Sequence, residues 1–203
     1  MTASSALDTA RAAAADRRWA DAYERLAGVD ATDGLEASDL DLLATVALLR
    51  GEPKASVDVL TRAYEAHVAG DDLAGAARSA SWLAMQLIEL GDFTRSVLWA
   101  ARAMRVAAAL PQPGALAGFV RLAPAVGQLG SGNPAEAKRE FDSIDRLLGD
   151  KLNRPWMAAV ALTVFGAASA VVVSQRQRTL ASQETSAAPE QVSEGERAQT
   201  HGD

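Results

Sequence analysis

Few residues in this sequence carry groups able to do chemistry, and their spacing decides what each can do. His67 and His201 are the two histidines, one in a helical stretch and one near the end of the chain. Two imidazoles so placed form no cluster able to hold a metal ion or activate a nucleophile, and His67 reads as an ordinary helix residue. The carboxylate pairs Asp39/Asp41 and Asp71/Asp72 suggest acid–base or cation-binding work. Each pair sits at the start of a helical pattern, where carboxylates complement free N–H groups, so helix capping is their expected role. Gly127, Gly130 and Gly132 form a glycine-rich stretch with no Gly-Lys-Ser/Thr after it and no strand before it, which predicts a loop between helices and not a phosphate cradle. Trp82, Trp99, Met85 and Met104 fall at helical spacings; core filling is their expected use, with groove lining as the sharper alternative. No catalytic constellation and no cofactor are expected.

The elements that position these residues read as helices. Of 203 residues 49% are hydrophobic and only 5% aromatic, and alanine is abundant, a balance that favours closely approaching helices over sheets. The chain is long enough for one domain with a sizeable core. A net charge of −6 without any basic run argues against direct nucleic-acid binding, which needs clustered cations to displace counterions from phosphates. With no cysteine, disulfides and thiolate metal sites are excluded. Met1 to Arg18 lacks the basic start and continuous apolar region of a secretory signal, so a cytoplasmic placement is expected.

Four short segments have the chemistry of a tight turn between antiparallel helices: Asp16-Arg17-Arg18-Trp19, Arg50-Gly51-Glu52-Pro53, Leu90-Gly91-Asp92-Phe93 and Ser131-Gly132-Asn133-Pro134. Three place Gly where a helix ends in left-handed geometry, and two place Pro at the first position of the next helix, where its missing N–H costs nothing. Counted between their second residues, the turns are offset by 34, 40 and 41 residues, within the range of paired-helix repeats. Small residues recur twelve apart across each turn: Ala10 and Ala22, Ala44 and Ser56, Ala84 and Ser96, Ala125 and Ala137. Such positions let paired helices approach closely, and Leu26, Leu60 or Phe141, four further on, fills the space beside them; the third unit has Ala100 instead.

The predicted fold is therefore all-α: an antiparallel helix-pair solenoid of three to four repeats over residues 1–150, an apolar helix over 151–178 and a disordered polar tail over 179–203. The pairs are expected at about Ser4 to Ala27, Glu36 to Gly70, Asp71 to Leu110 and, after the break at Pro111-Gln112-Pro113-Gly114, Ala115 to Leu148. Pro124 and Gly127 should kink or shorten the first helix of the fourth pair.

Leu48 to Gly51, Ala63-Tyr64-Glu65-Ala66-His67, Ala76-Ala77-Arg78, Trp82-Leu83-Ala84, Gly91-Asp92 and Arg102-Ala103, taken together, resemble the tetratricopeptide-type helical region of actinobacterial LuxR-type transcriptional regulators. The likeness covers roughly Ala6 to Asp150. It implies a sensing or docking region placed upstream of a DNA-binding helix-turn-helix. The chain departs from that pattern after Asp150, where no polar-basic recognition helix follows and Ala, Ser, Gln and Glu dominate. Two readings stay open: a tetratricopeptide-like interaction scaffold, and a regulatory module of a LuxR-type regulator without its own DNA-binding domain.

Residues 155–175 carry no charge, and Lys151, Arg154, Arg176 and Arg178 flank them, with Trp156 near one edge. About twenty such residues suffice to cross a bilayer as a helix. The alternative is a helix buried against the preceding pair as a cap. The span is the favoured reading because no good second helix follows it, which would anchor the repeat domain to the inner face of the cytoplasmic membrane. If the pairs stack, their first helices line a concave surface suited to an extended peptide or a partner helix. By register, Asp41, Thr45, Arg78, Ser81, Met85, Glu89, Leu122 and Val126 are its expected exposed positions. The expected partner is a protein or peptide; the oligomeric state is left open.

Overall fold

The computed structural model describes residues 3–148. Among the described residues the chain is helical throughout, with no strand, and its helices pack in chain order. They are α1 (Ala3–Ala15), α2 (Trp19–Thr32), α3 (Ala37–Leu49), α4 (Pro53–Ala69), α5 (Leu73–Glu89), α6 (Phe93–Ala108), α7 (Leu116–Phe119), α8 (Leu122–Gly130) and α9 (Pro134–Leu148).

One turn geometry is used five times. Arg17, Gly51, Asp71, Gly91 and Gly132 take φ of 59°, 84°, 57°, 77° and 76°. In each case the next N–H donates to the carbonyl five residues back: Arg18 to Ala13, Glu52 to Ala47, Asp72 to His67, Asp92 to Leu87 and Asn133 to Gln128. This arrangement satisfies carbonyls that the ending helix leaves free. Four of the five turns are those read from the sequence. The fifth, Gly70-Asp71-Asp72, joins α4 to α5 and puts Asp71, not Gly70, in the left-handed position. Pro53 and Pro134 open α4 and α9 as expected, and Asp72 and Asp92 cap α5 and α6 by accepting from the N–H groups of Gly75 (2.9 Å) and Arg95 (3.1 Å).

The recurrent small positions are the lines of closest approach. All eight residues are buried. In two successive pairs the same bond crosses the seam: Ser56 Oγ donates to the Ala44 carbonyl (2.7 Å) and Ser96 Oγ to the Ala84 carbonyl (2.9 Å). A carbonyl already used within its helix has a second lone pair, so a serine can stand in an alanine's place without an unsatisfied hydroxyl. Leu26 and Leu60, one turn further on, are buried beside these contacts.

Side-chain ties also join helices two apart in the chain, in two sets. In one, Arg11 of α1 donates to both oxygens of Asp39 of α3 (2.9 and 2.8 Å), and Ser79 of α5 donates to Asp41 of α3. In the other, Arg62 of α4 donates to both oxygens of Asp30 of α2 (2.7 Å each), and Tyr64 of α4 meets Trp99 of α6 edge-on, with centroids 5.0 Å apart.

Three local expectations are corrected. First, α2 continues past Ala27 and Gly28 to Thr32, because Gly34 supplies the left-handed turn (φ 75°). Second, the helix after the Pro-Gly break divides at Val120 and Arg121, upstream of Pro124. Pro124 is the third residue of α8, in the first turn, where a missing N–H breaks no helical bond, and Gly127 stays inside α8. Third, Asp39 and Asp41 do not cap α3; their carboxylates reach neighbouring helices. No helix among the described residues is long and apolar enough to cross a membrane. The apolar segment 151–178, with its charge-free stretch 155–175, and the tail 179–203 lie outside the described residues.

Candidate functional site

The polar groups expected on one face come together only in part. Asp41 leaves α3 half-buried at the seam with α4 and α5. Its Oδ1 accepts from Ser79 Oγ (2.7 Å), its Oδ2 lies 2.9 Å from His67 Nε2, and Arg78 Nη2 approaches the same oxygen at 3.5 Å. The other edge of the His67 ring faces Asp72, with Nδ1 and Oδ2 2.8 Å apart. Both partners of the ring are carboxylates, so a ring nitrogen bonds to either one only as a donor. Asp72 is held below the usual carboxylate range, chiefly by the Gly75 N–H and then by His67 and Arg78, against an opposing effect of burial.

Gly75 makes this junction possible. A methyl group at its Cα would overlap His67 Nδ1 and Asp72 Oδ2, so the imidazole crosses α5 where there is no side chain. His67 and Ser79 are buried (3% and 0% exposed) and the two carboxylates lie on opposite edges of the ring. Among the described residues no group of three or more His, Asp or Glu is arranged to hold a metal ion. The cluster ties α3, α4 and α5 together while leaving Arg78 and part of Asp41 at the surface.

The remaining expected groove residues separate by burial. Thr45 is exposed one turn from Asp41, its hydroxyl donating to the Asp41 carbonyl (2.8 Å). Glu89 is exposed at the end of α5, with its carboxyl raised above the usual range by desolvation. Ser81, Met85 and Val126 were expected at the surface but are buried (2%, 4% and 2% exposed), and Leu122 is half-buried against the core. The cause is the position of α5, which packs against α4, α6, α7 and α8 and so keeps little free surface. Trp82 meets Phe119 of α7 edge-on (5.4 Å), covering the same side. Met85 and Trp99 are core residues, as the plainer expectation had it, whereas Met104 is 39% exposed.

Sequence reasoning missed the His67 cluster. The available signal was Gly75 inside an otherwise good helical pattern, two turns of chain from the lone internal histidine. It also missed Gln86, which is buried with its amide oxygen unpaired among the described residues. No protein-family model matches the chain, and no curated protein does either.

Proposed function

We propose that this chain is a non-catalytic protein-interaction scaffold in which tetratricopeptide-like helix pairs stack as a solenoid and the layer of first helices receives a peptide or partner helix. The observation that carries this reading is the recurrence of one interhelical register: the same turn, followed by the same small-residue contact twelve residues apart, in successive units. A fold built by repetition offers an extended face, and mixed polar groups along it suit main-chain and side-chain recognition of a peptide. The binding face is narrower than the register first indicates. Asp41, Thr45, Arg78 and Glu89 remain at or near its surface, while Ser81, Met85, Leu122 and Val126 support it from within or at its edge.

Peptides selected from a random library against the intact chain test the assignment. Arg78→Glu combined with Glu89→Arg is expected to abolish their binding while the circular dichroism spectrum stays unchanged. Unaltered affinity of the double variant for every selected peptide removes the groove from α3 and α5.

A further inference from the structure

Of the five turns that share one backbone geometry, the turn between α4 and α5 holds a titratable ring. The residue whose carbonyl accepts from the turn is Ala13, Ala47, Leu87 or Gln128 in the other four and His67 in this one. The His67 ring, 3% exposed, lies between two carboxylates, with Nε2 2.9 Å from Asp41 Oδ2 and Nδ1 2.8 Å from Asp72 Oδ2. Asp41 of α3 and Asp72 at the start of α5 face the ring directly, and Arg78 of α5 faces it across the Asp41 oxygen. A carboxylate only accepts, so the number of ties from the ring follows its number of protons. With two protons it donates to both partners; with one it donates to one and turns a lone pair on the other. Imidazole is the side chain whose charge changes near neutral pH.

Exposure decides which tie is lost. The Asp41 side chain is 22% exposed and also accepts from Ser79 Oγ, whereas the Asp72 side chain is 50% exposed and has water to turn to. A carboxylate that can rehydrate gives up a bond at lower cost. The remaining proton therefore sits on Nε2, facing Asp41, and the half-exposed Asp72 is the way out for the other. Asp72 does not move alone: its second oxygen caps α5 by accepting from the Gly75 N–H (2.9 Å), and it follows Asp71, which holds a left-handed φ of 57°. We propose that the turn between α4 and α5 is a proton-operated latch, shut while both ring nitrogens of His67 carry protons and released at Asp72, with loss of the α5 cap, when Nδ1 gives its proton to solvent. The latch is complete on the acid side of the imidazole transition and lost as pH rises through it. Asp72, held below the usual carboxylate range chiefly by the Gly75 N–H, remains an acceptor on that acid side. The latch does not depend on peptide binding at the α3 and α5 face.

The next turn is an internal control, since Asp92 caps α6 by accepting from the Arg95 N–H and Leu87 stands where His67 does. His201→Gln leaves one imidazole in the intact chain, and heteronuclear NMR of that ring reads which nitrogen is protonated as pH rises. Hydrogen exchange at the Gly75 and Arg95 amides is followed over the same titration, each corrected for the intrinsic pH dependence of exchange. Nδ1 is expected to lose its proton and Nε2 to keep it, while protection of Gly75 falls roughly fivefold, the size of a lost helix cap, and that of Arg95 holds. His67→Gln should abolish the response. Asp72→Asn should abolish it by another route, because the Asn oxygen caps Gly75 and its N–H donates to unprotonated Nδ1, keeping the latch shut on the alkaline side. Retention of the proton on Nδ1 overturns the proposal, as does a ring that keeps one charge state wherever the chain is folded. Gly75 protection that tracks Arg95, or an unaltered response in His67→Gln, overturns it equally.

Discussion

The seam between α3, α4 and α5 and the seam between α6 and α8 are both made of helices meeting side by side, yet they are built on opposite principles. The first is closed by named polar bonds converging on Asp41 and His67, with a glycine removed from the path of the ring. The second has no such convergence; Ile88 of α5, Ala100 of α6 and Ala123 of α8 line a groove that stays open between α6 and α8. Hydrogen-bonded groups have one satisfactory geometry, so the first seam has a fixed register. Contacts between small apolar residues fix register less sharply, and the second seam leaves apolar surface of α6 open.

The largest expected effect is at the first seam. Asp41→Ala leaves His67 Nε2 without a partner and Ser79 with only the Gly75 carbonyl (3.0 Å), and should cost about 2–3 kcal/mol in denaturant unfolding, more than the mean for single substitutions. Arg121→Ala, which removes a half-exposed pair with Glu140 (3.4 Å) beside the second seam, should cost under about 1 kcal/mol. Equal losses for the two variants would break the comparison. Glycine replacement sharpens it with a change of sign. Gly75→Ala should destabilise by about 1–3 kcal/mol because the new methyl group displaces His67 or Asp72. Gly127→Ala meets nothing within 4 Å and should stabilise α8 by up to about 1 kcal/mol. Thermal melts of the two variants that move in the same direction would contradict the assigned packing.

The smallest effect per group is expected from pH. Asp30 is depressed chiefly by its hydrogen bonds from Arg62, and Asp72 chiefly by the Gly75 N–H. A depressed folded-state carboxyl contributes stability that is fully present above its unfolded value, 3.8, and lost as pH falls through the folded value. Glu89 is raised, so its contribution has the opposite sign and diminishes as pH rises past the ordinary glutamate range. Acidification below about pH 4 should therefore loosen α2 to α5 first. Residues 93–135, which contain no carboxylate side chain, should follow only when their neighbours release them. Amide NMR spectra recorded along an acid titration check the order, and simultaneous loss of both regions would refute it.

The positions of the turns were legible because each is a local matter. A left-handed residue, a proline at a helix start and a capping aspartate act within a few residues, and Gly51, Gly91, Pro53 and Asp92 carry that information themselves. The small-residue register was legible for a related reason: repetition makes one tertiary contact appear several times in the sequence. At Gly70-Asp71-Asp72 the boundary and the capping carboxylate were legible, but the left-handed turn was not, because Asp71 takes that position and the glycine beside it does not. Half of the expected binding face, Ser81 and Met85 on α5 and Leu122 and Val126 on α8, was misplaced because α5 packs against α7 and α8, which follow a proline-containing break and no unit offset.

By itself the sequence determined the all-helical class, the pairing of helices and the contact line within each pair, since these follow from propensity, turn chemistry and a pattern repeated along the chain. Only the tertiary structure decided that Asp41, His67, Ser79 and Asp72 form one cluster, and that Val97 is open where Val57 is closed. The reason is range: Asp41 and Ser79 are 38 residues apart, and α9 lies against α7 and α8 and not where a further unit would have covered α6. Such contacts depend on how whole helices settle against one another, which no local pattern encodes.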